Sequence, residues 1–135
     1  MIFCNTKYQT ASLCRQLNEY GLPSECIHGD MMQSARNQVM QKFKSGYVDY
    51  LVVTDVAARG IDVENIEAVF NFDLPQENEY YTHRIGRTGR AKREGAAYTF
   101  YSEDERFRLR DIIKYTKSEV TPVVVDEQGK ITPVK

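Results

Sequence analysis

The sequence lacks a surplus of charge of either sign, an abundance of cysteine and any long apolar run. Its 18 Lys and Arg residues nearly balance its 19 Asp and Glu residues, which leaves a formal net charge of -1 over 135 residues. Proteins that bind polyanions non-specifically usually carry a clear cationic excess, because counterion release drives such binding. The balance disfavours that class of protein. Any contact with nucleic acid has to come from individually placed residues.

Three cysteines are too few and too irregularly spaced for a disulfide framework. Cys4, Cys14 and Cys26 form no C-x-x-C pair, and neither His28 nor His83 stands at a zinc-ligand spacing from them. Free cysteine is among the most buried residue types. We therefore expect core thiols, no metal site and a reducing compartment, the cytoplasm.

No apolar run approaches the roughly 20 residues that a membrane-spanning helix needs, so no membrane partner is expected. The start, Met1 to Asn5, is too short for a signal sequence. It is typical of a strand that begins at once, which suggests a chain cut from a longer protein. The length of 135 residues fits one domain with a core of its own.

Short apolar runs alternate with segments of helical periodicity. The runs are Met1 to Cys4, Cys26 to Ile27, Tyr50 to Val53, Ala68 to Phe70 and Ala96 to Tyr101. Helices are predicted around Leu13 to Tyr20, over Gln33 to Lys44 and over about Glu103 to Lys117. The runs suit strands that are buried on both faces. The alternation therefore predicts an α/β fold with a mostly parallel sheet flanked by helices on both faces.

The pattern changes near the end of the chain, where Pro122 and Pro133 interrupt apolar residues. This segment could form a hairpin, but the prolines favour an edge strand or an extended linker. We assign residues 1–117 to the folded domain and residues 118–135 to a tail of uncertain structure.

Polar residues follow four of the predicted strands. They are Asn5-Thr6-Lys7, His28-Gly29-Asp30, Thr54-Asp55 and Asn71-Phe72-Asp73, in chain order. Ligands of open parallel sheets bind beyond the carboxyl ends of the strands, so these residues are expected to meet at one functional edge. Polar loops also end strands that have no function, which is the alternative for each set taken alone.

The most distinctive segment runs from His83 to Arg93 and contains no acidic residue. Pro75, Glu77 and Glu79 precede it and suit the start of a helix, whose dipole favours acids there and bases at its end. A helix with a solvated basic end would explain this much. It would leave the glycines and arginines that follow unexplained.

Those residues read Gly86-Arg87-Thr88-Gly89-Arg90. Glycines allow a tight turn and a close approach to a ligand, and two guanidiniums three residues apart can offer bidentate donors to one phosphate. No G-x-x-x-x-G-K-[ST] phosphate loop is present. The arginines therefore form half of a phosphate site, as fingers that complete a site on another domain or chain.

With these motifs the sequence resembles the second, carboxy-terminal RecA-like domain of DEAD-box ATP-dependent RNA helicases, up to about Lys117. Residues 2–7 resemble the family's motif IV, residues 33–36 motif IVa, residues 54–62 motif V and residues 83–90 motif VI. His83 opens motif VI where DEAH and RecQ-like groups generally have glutamine, which favours the DEAD-box branch. The resemblance implies a RecA-like three-layer sandwich.

The resemblance also implies roles toward ATP. Arg87 and Arg90 match the catalytic arginine fingers that reach the γ-phosphate, and Asp62 matches the residue that binds the ribose. His83 matches a residue that links motif VI to the catalytic motifs of the first domain. The alternative for His83 is a surface or interface histidine whose hydrogen bonds are satisfied and which has no role in the function.

Toward RNA, the resemblance implies contacts with the sugar-phosphate backbone of single-stranded or duplex RNA. The matching positions are Asn5, Thr6, Gln33, Arg36, Thr54, Arg59 and Gly60. Helix capping is the alternative for Asn5, and a helix-surface charge is the alternative for Arg36.

The family's first RecA-like domain, with its phosphate loop and Mg²⁺ site, is absent from these residues. The expected ligand is therefore ATP with Mg²⁺ held by that other domain, and this chain alone is expected not to hydrolyse ATP. A stand-alone binding module for RNA or protein is the second hypothesis, although Asp62, Arg87 and Arg90 are all retained. Half of a DNA helicase is a third.

Overall fold

A computed structural model of the chain describes residues 1–61, 66–88 and 95–134. Its strands and helices alternate as the sequence predicts. The strands of the main sheet are β1 (Ile2–Phe3), β2 (Ser24–Ile27), β3 (Tyr50–Val53), β4 (Ala68–Asn71) and β5 (Ala96–Thr99). The helices are α1 (Lys7–Glu19), α2 (Gln33–Lys44), α3 (Asp55–Arg59), α4 (Asn78–Ile85) and α5 (Arg106–Thr116).

Within the described residues, the main sheet has five parallel strands in the order β2-β3-β1-β4-β5. Strand β1 is central, so the chain runs outward to β2, returns to β3 and then crosses β1 to reach β4. This reversal is the point at which open α/β sheets bind ligands. The predicted α/β fold with a parallel sheet is confirmed.

Side chains of the sheet alternate between two apolar layers, as expected for strands with helices on both faces. One layer joins Phe3, Ile27, Leu51, Val53 and Val69 to residues of α2 and α3. The opposite layer joins Ile2, Cys4 and Val52 to Leu13 and Cys14 of α1. A smaller cluster of Leu74, Tyr81 and Ile112 packs α4 against α5. No helix in the described part of the chain is long and apolar enough to cross a membrane.

Two details of the helices differ from the sequence prediction. Helix α3 was not predicted, because five residues are too short to show helical periodicity. The predicted last helix begins as a 3-10 turn over Glu103–Glu105, which a capping box of Ser102 and Glu105 stabilises, and only then becomes α5. The range predicted for α2 is confirmed.

The tail contains a hairpin, the alternative that the prolines were expected to disfavour, and both of its strands are edge strands. Strands β6 (Val123–Val125) and β7 (Ile131–Pro133) pair antiparallel in a separate sheet. Asp126 fixes the turn because its carboxylate accepts hydrogen bonds from the backbone N–H groups of Gln128 and Lys130, at 2.9 and 2.8 Å. The prolines fit because Pro122 precedes β6 and Pro133 ends β7.

Two valines test where the stability of this fold originates. Val53 is 0% exposed in β3 and Val56 is 68% exposed in α3. Val53→Ala is expected to lower the free energy of unfolding by about 2 kcal/mol, since it removes buried methyl groups and leaves a cavity. The matched change Val56→Ala should alter it by less than about 0.5 kcal/mol. Urea unfolding of the chain measures both, and equal effects would contradict the assigned core.

Candidate functional site

The polar residues that follow the strands meet at the carboxyl edge of the sheet, as predicted. Asn5 follows the central strand, and its backbone N–H donates to Oδ2 of Asp73, beyond β4, at 2.9 Å. The Asn5 side-chain amide donates to the Leu74 carbonyl at 2.8 Å. Asp30, beyond β2, accepts a hydrogen bond from Lys7 Nζ at 2.6 Å, and this contact lowers the pKa of the Asp30 carboxyl.

Arg84 of α4 organises this edge and is 0% exposed. Its Nε and Nη2 donate to the two carboxylate oxygens of Asp55, each at 2.7 Å. Its Nη1 donates to the Asp73 carbonyl at 2.7 Å, and Nη2 also donates to Asn5 Oδ1 at 2.9 Å. The guanidinium carbon lies 5.2 Å from the ring centroid of Phe3. One side chain therefore fastens α4 to the ends of β1, β3 and β4.

This arrangement satisfies the conditions for burying a charge. A buried cation is strongly destabilising unless it is paired and hydrogen-bonded, and the planar guanidinium matches a carboxylate in bidentate geometry. Sequence reasoning placed Arg84 in the basic helix end and in the segment resembling motif VI, and Asp55 after a strand and in the segment resembling motif V, but it did not pair them. The missing information was the strand order, which places β3 and β4 on either side of β1.

Arg87 lies beyond α4 and contacts the end of α3. Its Nη2 donates to the Ala58 carbonyl at 2.7 Å and its Nη1 donates to the Ile61 carbonyl at 3.0 Å. Carbonyl groups at a helix C-terminus carry partial negative charge, so a guanidinium is stabilised there. The structure thus places Arg87, one of the two predicted arginine fingers, against the segment that resembles motif V. Arg90 and Asp62, the other residues predicted to contact ATP, lie outside the described residues.

His83 is exposed on the last turn of α4. Gly86 ends this helix with φ of -65°, an ordinary helical value. The chain does turn at Gly86 and Arg87, where the Thr88 N–H donates to the Ile85 carbonyl at 3.2 Å, but this turn does not require glycine because any residue adopts that conformation. Gly89 lies outside the described residues. The predicted charge pattern of the helix is confirmed, with Glu79 in its first turn and His83 and Arg84 in its last.

Two threonines of the predicted RNA set are helix caps. Thr6 Oγ1 accepts from the Gln9 N–H at 3.1 Å and caps α1, while Thr54 Oγ1 accepts from the Ala57 N–H at 3.3 Å and caps α3. Capping, the alternative considered for Asn5, therefore belongs to Thr6. Asn5 binds Arg84 instead.

Arg36 and Gly60 lie together although they are 24 positions apart in the chain. A Cβ atom placed on Gly60 would lie 3.8 Å from Arg36 Nη1. Arg36 is half-buried, its Nη2 donates to the His28 and Gly29 carbonyls at 3.2 and 3.3 Å, and its Nε is buried without a hydrogen-bond partner. It is therefore not the solvated surface charge of the alternative interpretation.

The remaining predicted RNA residues are exposed. The Arg59 guanidinium carbon stands 5.0 Å from the ring centroid of Tyr80, and Gln33 donates to Asn37 within α2 at 3.0 Å. Among the residues that the structure describes, no group of three His, Cys, Asp or Glu side chains is placed to hold a metal ion.

Residues 1–92 match the protein family described as the helicase conserved C-terminal domain. The chain belongs to this family. It is 46% identical over 135 residues to the ATP-dependent RNA helicase DbpA of Bacillus subtilis. The alignment covers 100% of this chain and 28% of that protein. It is also 46% identical over 123 residues to the ATP-dependent RNA helicase CshA of Listeria monocytogenes, covering 91% of this chain and 24% of the relative. This helicase C-terminal domain thus spans about a quarter of these relatives.

Solved structures of DEAD-box proteins have the same fold as this chain. A DEAD box protein from the hyperthermophile Methanococcus jannaschii superposes with a TM-score of 0.83 at 42% identity, over 87% of this chain and 32% of that one. The C-terminal domain of the DEAD-box protein Dbp5 gives a TM-score of 0.78 at 36% identity, over 85% of this chain and 68% of that one. The RecA-like fold is confirmed, and the chain is a C-terminal RecA-like domain of the DEAD-box type.

The buried ion pair is testable against a surface pair. Arg84→Lys keeps the charge but loses the bidentate geometry, so we expect the free energy of unfolding to fall by about 3–5 kcal/mol. The control is Arg106→Lys, because Arg106 pairs with Glu103 at the surface, where the two side chains are 49% and 83% exposed. That change should cost less than about 1 kcal/mol in the same urea titration. A similar small loss for Arg84→Lys would show that this pair does not hold the edge together.

Proposed function

We propose that this helicase C-terminal domain works with a first RecA-like domain as an ATP-dependent RNA helicase, which unwinds or remodels RNA. One observation carries the proposal. Arg84 joins the segments resembling motifs IV, V and VI at one sheet edge, so the residues assigned to RNA and those assigned to ATP share a rigid support. The relatives DbpA and CshA, which are named ATP-dependent RNA helicases, support the same activity.

Toward ATP, the proposal assigns Arg87 and Arg90 to the γ-phosphate, Asp62 to the ribose hydroxyls and His83 to the first domain. The donor types fit, since a guanidinium binds phosphoryl oxygens in bidentate geometry and a carboxylate accepts from vicinal hydroxyls. Bound ATP supplies a phosphoryl group whose transition-state charge the arginines would stabilise. The bonds of Arg87 to Ala58 and Ile61 support this assignment, because they orient its guanidinium before any ligand arrives.

The domain is proposed to be inactive alone. It has no phosphate loop in its sequence, and the Mg²⁺ that accompanies ATP is assigned to the first domain. Hydrolysis would therefore require the two domains to close on one another. His83 suits a contact with that domain because it is exposed at the end of α4, next to the Arg84 anchor.

Toward RNA, the proposed contacts are short donors and guanidiniums of motifs IV, IVa and V, which suit phosphate oxygens and 2′-hydroxyls. Arg36, Arg59 and Gly60 form the best-supported group, because Arg36 adjoins Gly60 and Arg59 is the last residue of α3, directly before Gly60. The unpartnered Nε of Arg36 adds support. A solved structure of the S. cerevisiae relative Dbp5 is described as bound to RNA and ADP BeF3, at 36% identity to this chain.

Finger function can be tested in a protein that joins this chain to its first RecA-like domain. Arg87→Ala and Arg90→Ala are each expected to lower the RNA-stimulated ATPase rate by about 10³-fold or more, since such fingers are worth 10³ to 10⁵. Circular dichroism should show an intact fold. The control is Arg110→Ala, an exposed arginine of α5. Unchanged turnover in both finger variants would overturn the assigned roles, and equal stimulation by single-stranded DNA would favour a DNA helicase.

The RNA contacts can be tested by salt titration of RNA binding in the same protein. Arg36→Ala and Arg59→Ala should weaken binding about equally for RNAs of different sequence and should each reduce the slope of log K against log salt by about 1. Lys42→Ala is the matched control, because Lys42 lies on α2 like Arg36 but pairs with Glu25 at 3.1 Å. A loss confined to one RNA sequence, or an equal loss for Lys42→Ala, would contradict backbone binding.

A further inference from the structure

Tyr80 of α4 contacts the arginine that ends α3. The guanidinium carbon of Arg59 lies over the Tyr80 ring, 5.0 Å from the ring centroid. The ring is half-buried, whereas Arg59 is exposed. An aromatic face attracts a cation at this distance because its π electrons make the face negative. Tyr80 is not among the residues assigned to ATP or RNA, so the proposed helicase function does not account for this contact.

The contact orients Arg59 without occupying its hydrogen-bond donors. The guanidiniums of Arg84 and Arg36 donate to a carboxylate and to carbonyl groups of the protein. Arg59, by contrast, donates no hydrogen bond to an oxygen of residues 1–61, 66–88 or 95–134. A guanidinium that is held by a ring face can still donate bidentate hydrogen bonds to a phosphate. A side chain that is held in place and keeps its donors is prepared for a ligand.

Arg87 fixes the backbone on both sides of Arg59. It donates to the Ala58 carbonyl at 2.7 Å and to the Ile61 carbonyl at 3.0 Å. The segment beyond α4 therefore holds the backbone at Arg59, and Tyr80 within α4 holds its side chain. An exposed arginine loses rotamer freedom when it binds a ligand, and this loss weakens binding. The ring contact removes part of that loss before any ligand arrives.

We propose that Tyr80 is a positioning residue for RNA binding, which holds the Arg59 guanidinium ready for a phosphate of the RNA backbone. The proposal rests on the proposed function, since it takes Arg59 as an RNA contact. Tyr80 acts through Arg59 and is not itself assigned a contact with RNA. The aromatic ring is the property that the role requires, so a phenylalanine should serve at this position and an aliphatic side chain should not.

The surroundings of Arg59 fit this role. Gly60 follows it directly and lies beside Arg36, the other arginine assigned to the RNA backbone. The turn after β2 holds Arg36 through the His28 and Gly29 carbonyls, whereas α4 holds Arg59. Separate elements thus fix two guanidiniums next to one short stretch of backbone. An RNA strand that contacts both would meet arginines whose directions are set before it binds.

The test is a double-mutant cycle on RNA affinity, in the protein that joins this chain to its first RecA-like domain. Fluorescence anisotropy of a labelled single-stranded RNA measures the affinity. Tyr80→Leu is expected to weaken binding about threefold, which corresponds to a cation–π contact at an exposed site. Tyr80→Phe keeps the ring and should retain most of the affinity. In the Arg59→Ala background, Tyr80→Leu should have no further effect, because the side chain through which Tyr80 acts is gone.

The salt dependence of binding separates positioning from charge. Tyr80→Leu removes no cation, so the slope of log K against log salt should stay the same, whereas Arg59→Ala should reduce it by about 1. Phe107→Leu is the matched control, because the Phe107 ring is 74% exposed and has Arg110 over it at 5.8 Å, within α5. This change should leave RNA affinity as it is.

Unchanged RNA affinity in Tyr80→Leu would overturn the proposal. So would an equal loss with and without Arg59, or an equal loss for Phe107→Leu. If Arg59→Ala weakens binding and Tyr80→Leu does not, the RNA contact of Arg59 stands and only the positioning role fails. If Arg59→Ala itself has no effect, the proposed RNA contact fails, and the positioning role fails with it.

Discussion

The bidentate ion pair between Arg84 and Asp55 is the interaction on which the functional edge of this domain depends. Three parallel strands end side by side there, and their termini carry polar groups that would repel or remain unsatisfied without a central cation. The planar guanidinium of Arg84 donates four hydrogen bonds to a carboxylate, a carbonyl and an amide oxygen. Because the guanidinium is buried, loss of any partner destabilises the fold, since it leaves a charge or a dipole unpaired in the interior.

This constraint gives the proposed helicase function a physical basis. Asn5 precedes the helix cap Thr6 and Asp55 follows the helix cap Thr54, two residues assigned to RNA, and Arg87 lies three residues beyond Arg84 on the side assigned to ATP. Because Asn5 and Asp55 both bind the guanidinium of Arg84, which α4 carries, displacement of α4 would disturb the ends of β1 and β3.

Sequence reasoning predicted the layers of this fold well because buried parallel strands have continuous apolar runs and amphipathic helices have a regular period. The range it predicted for α2, roughly Gln33 to Lys44, is confirmed, since this segment has a clear apolar stripe and stops at Ser45-Gly46. It missed α3, which is one turn long and is formed by the Thr54 cap and the packing of Ala57 and Ala58. The sequence did not determine whether the tail forms a hairpin, because prolines at both ends of a segment are compatible with strand pairing and with an unpaired, extended chain.

The site was predictable in composition but not in its connections. Polar residues at strand ends and the arginine segment were both visible in the sequence, and their common edge is confirmed. The pairing of Arg84 with Asp55 required the strand order, since the two are 29 positions apart in the chain. The same limit applies to Arg36 beside Gly60 and to Arg59 over Tyr80, which are both tertiary contacts between separate elements.

The most direct test of this account is the coupling energy between Arg84 and Asp55 in a double-mutant cycle. The free energy of unfolding would be measured for the chain, for Arg84→Met, for Asp55→Leu and for the double variant. We predict a coupling of about 2–3 kcal/mol, because each single change leaves a buried partner unpaired and the double change does not. Effects that add within about 0.5 kcal/mol would contradict the claim that this pair organises the edge of the sheet.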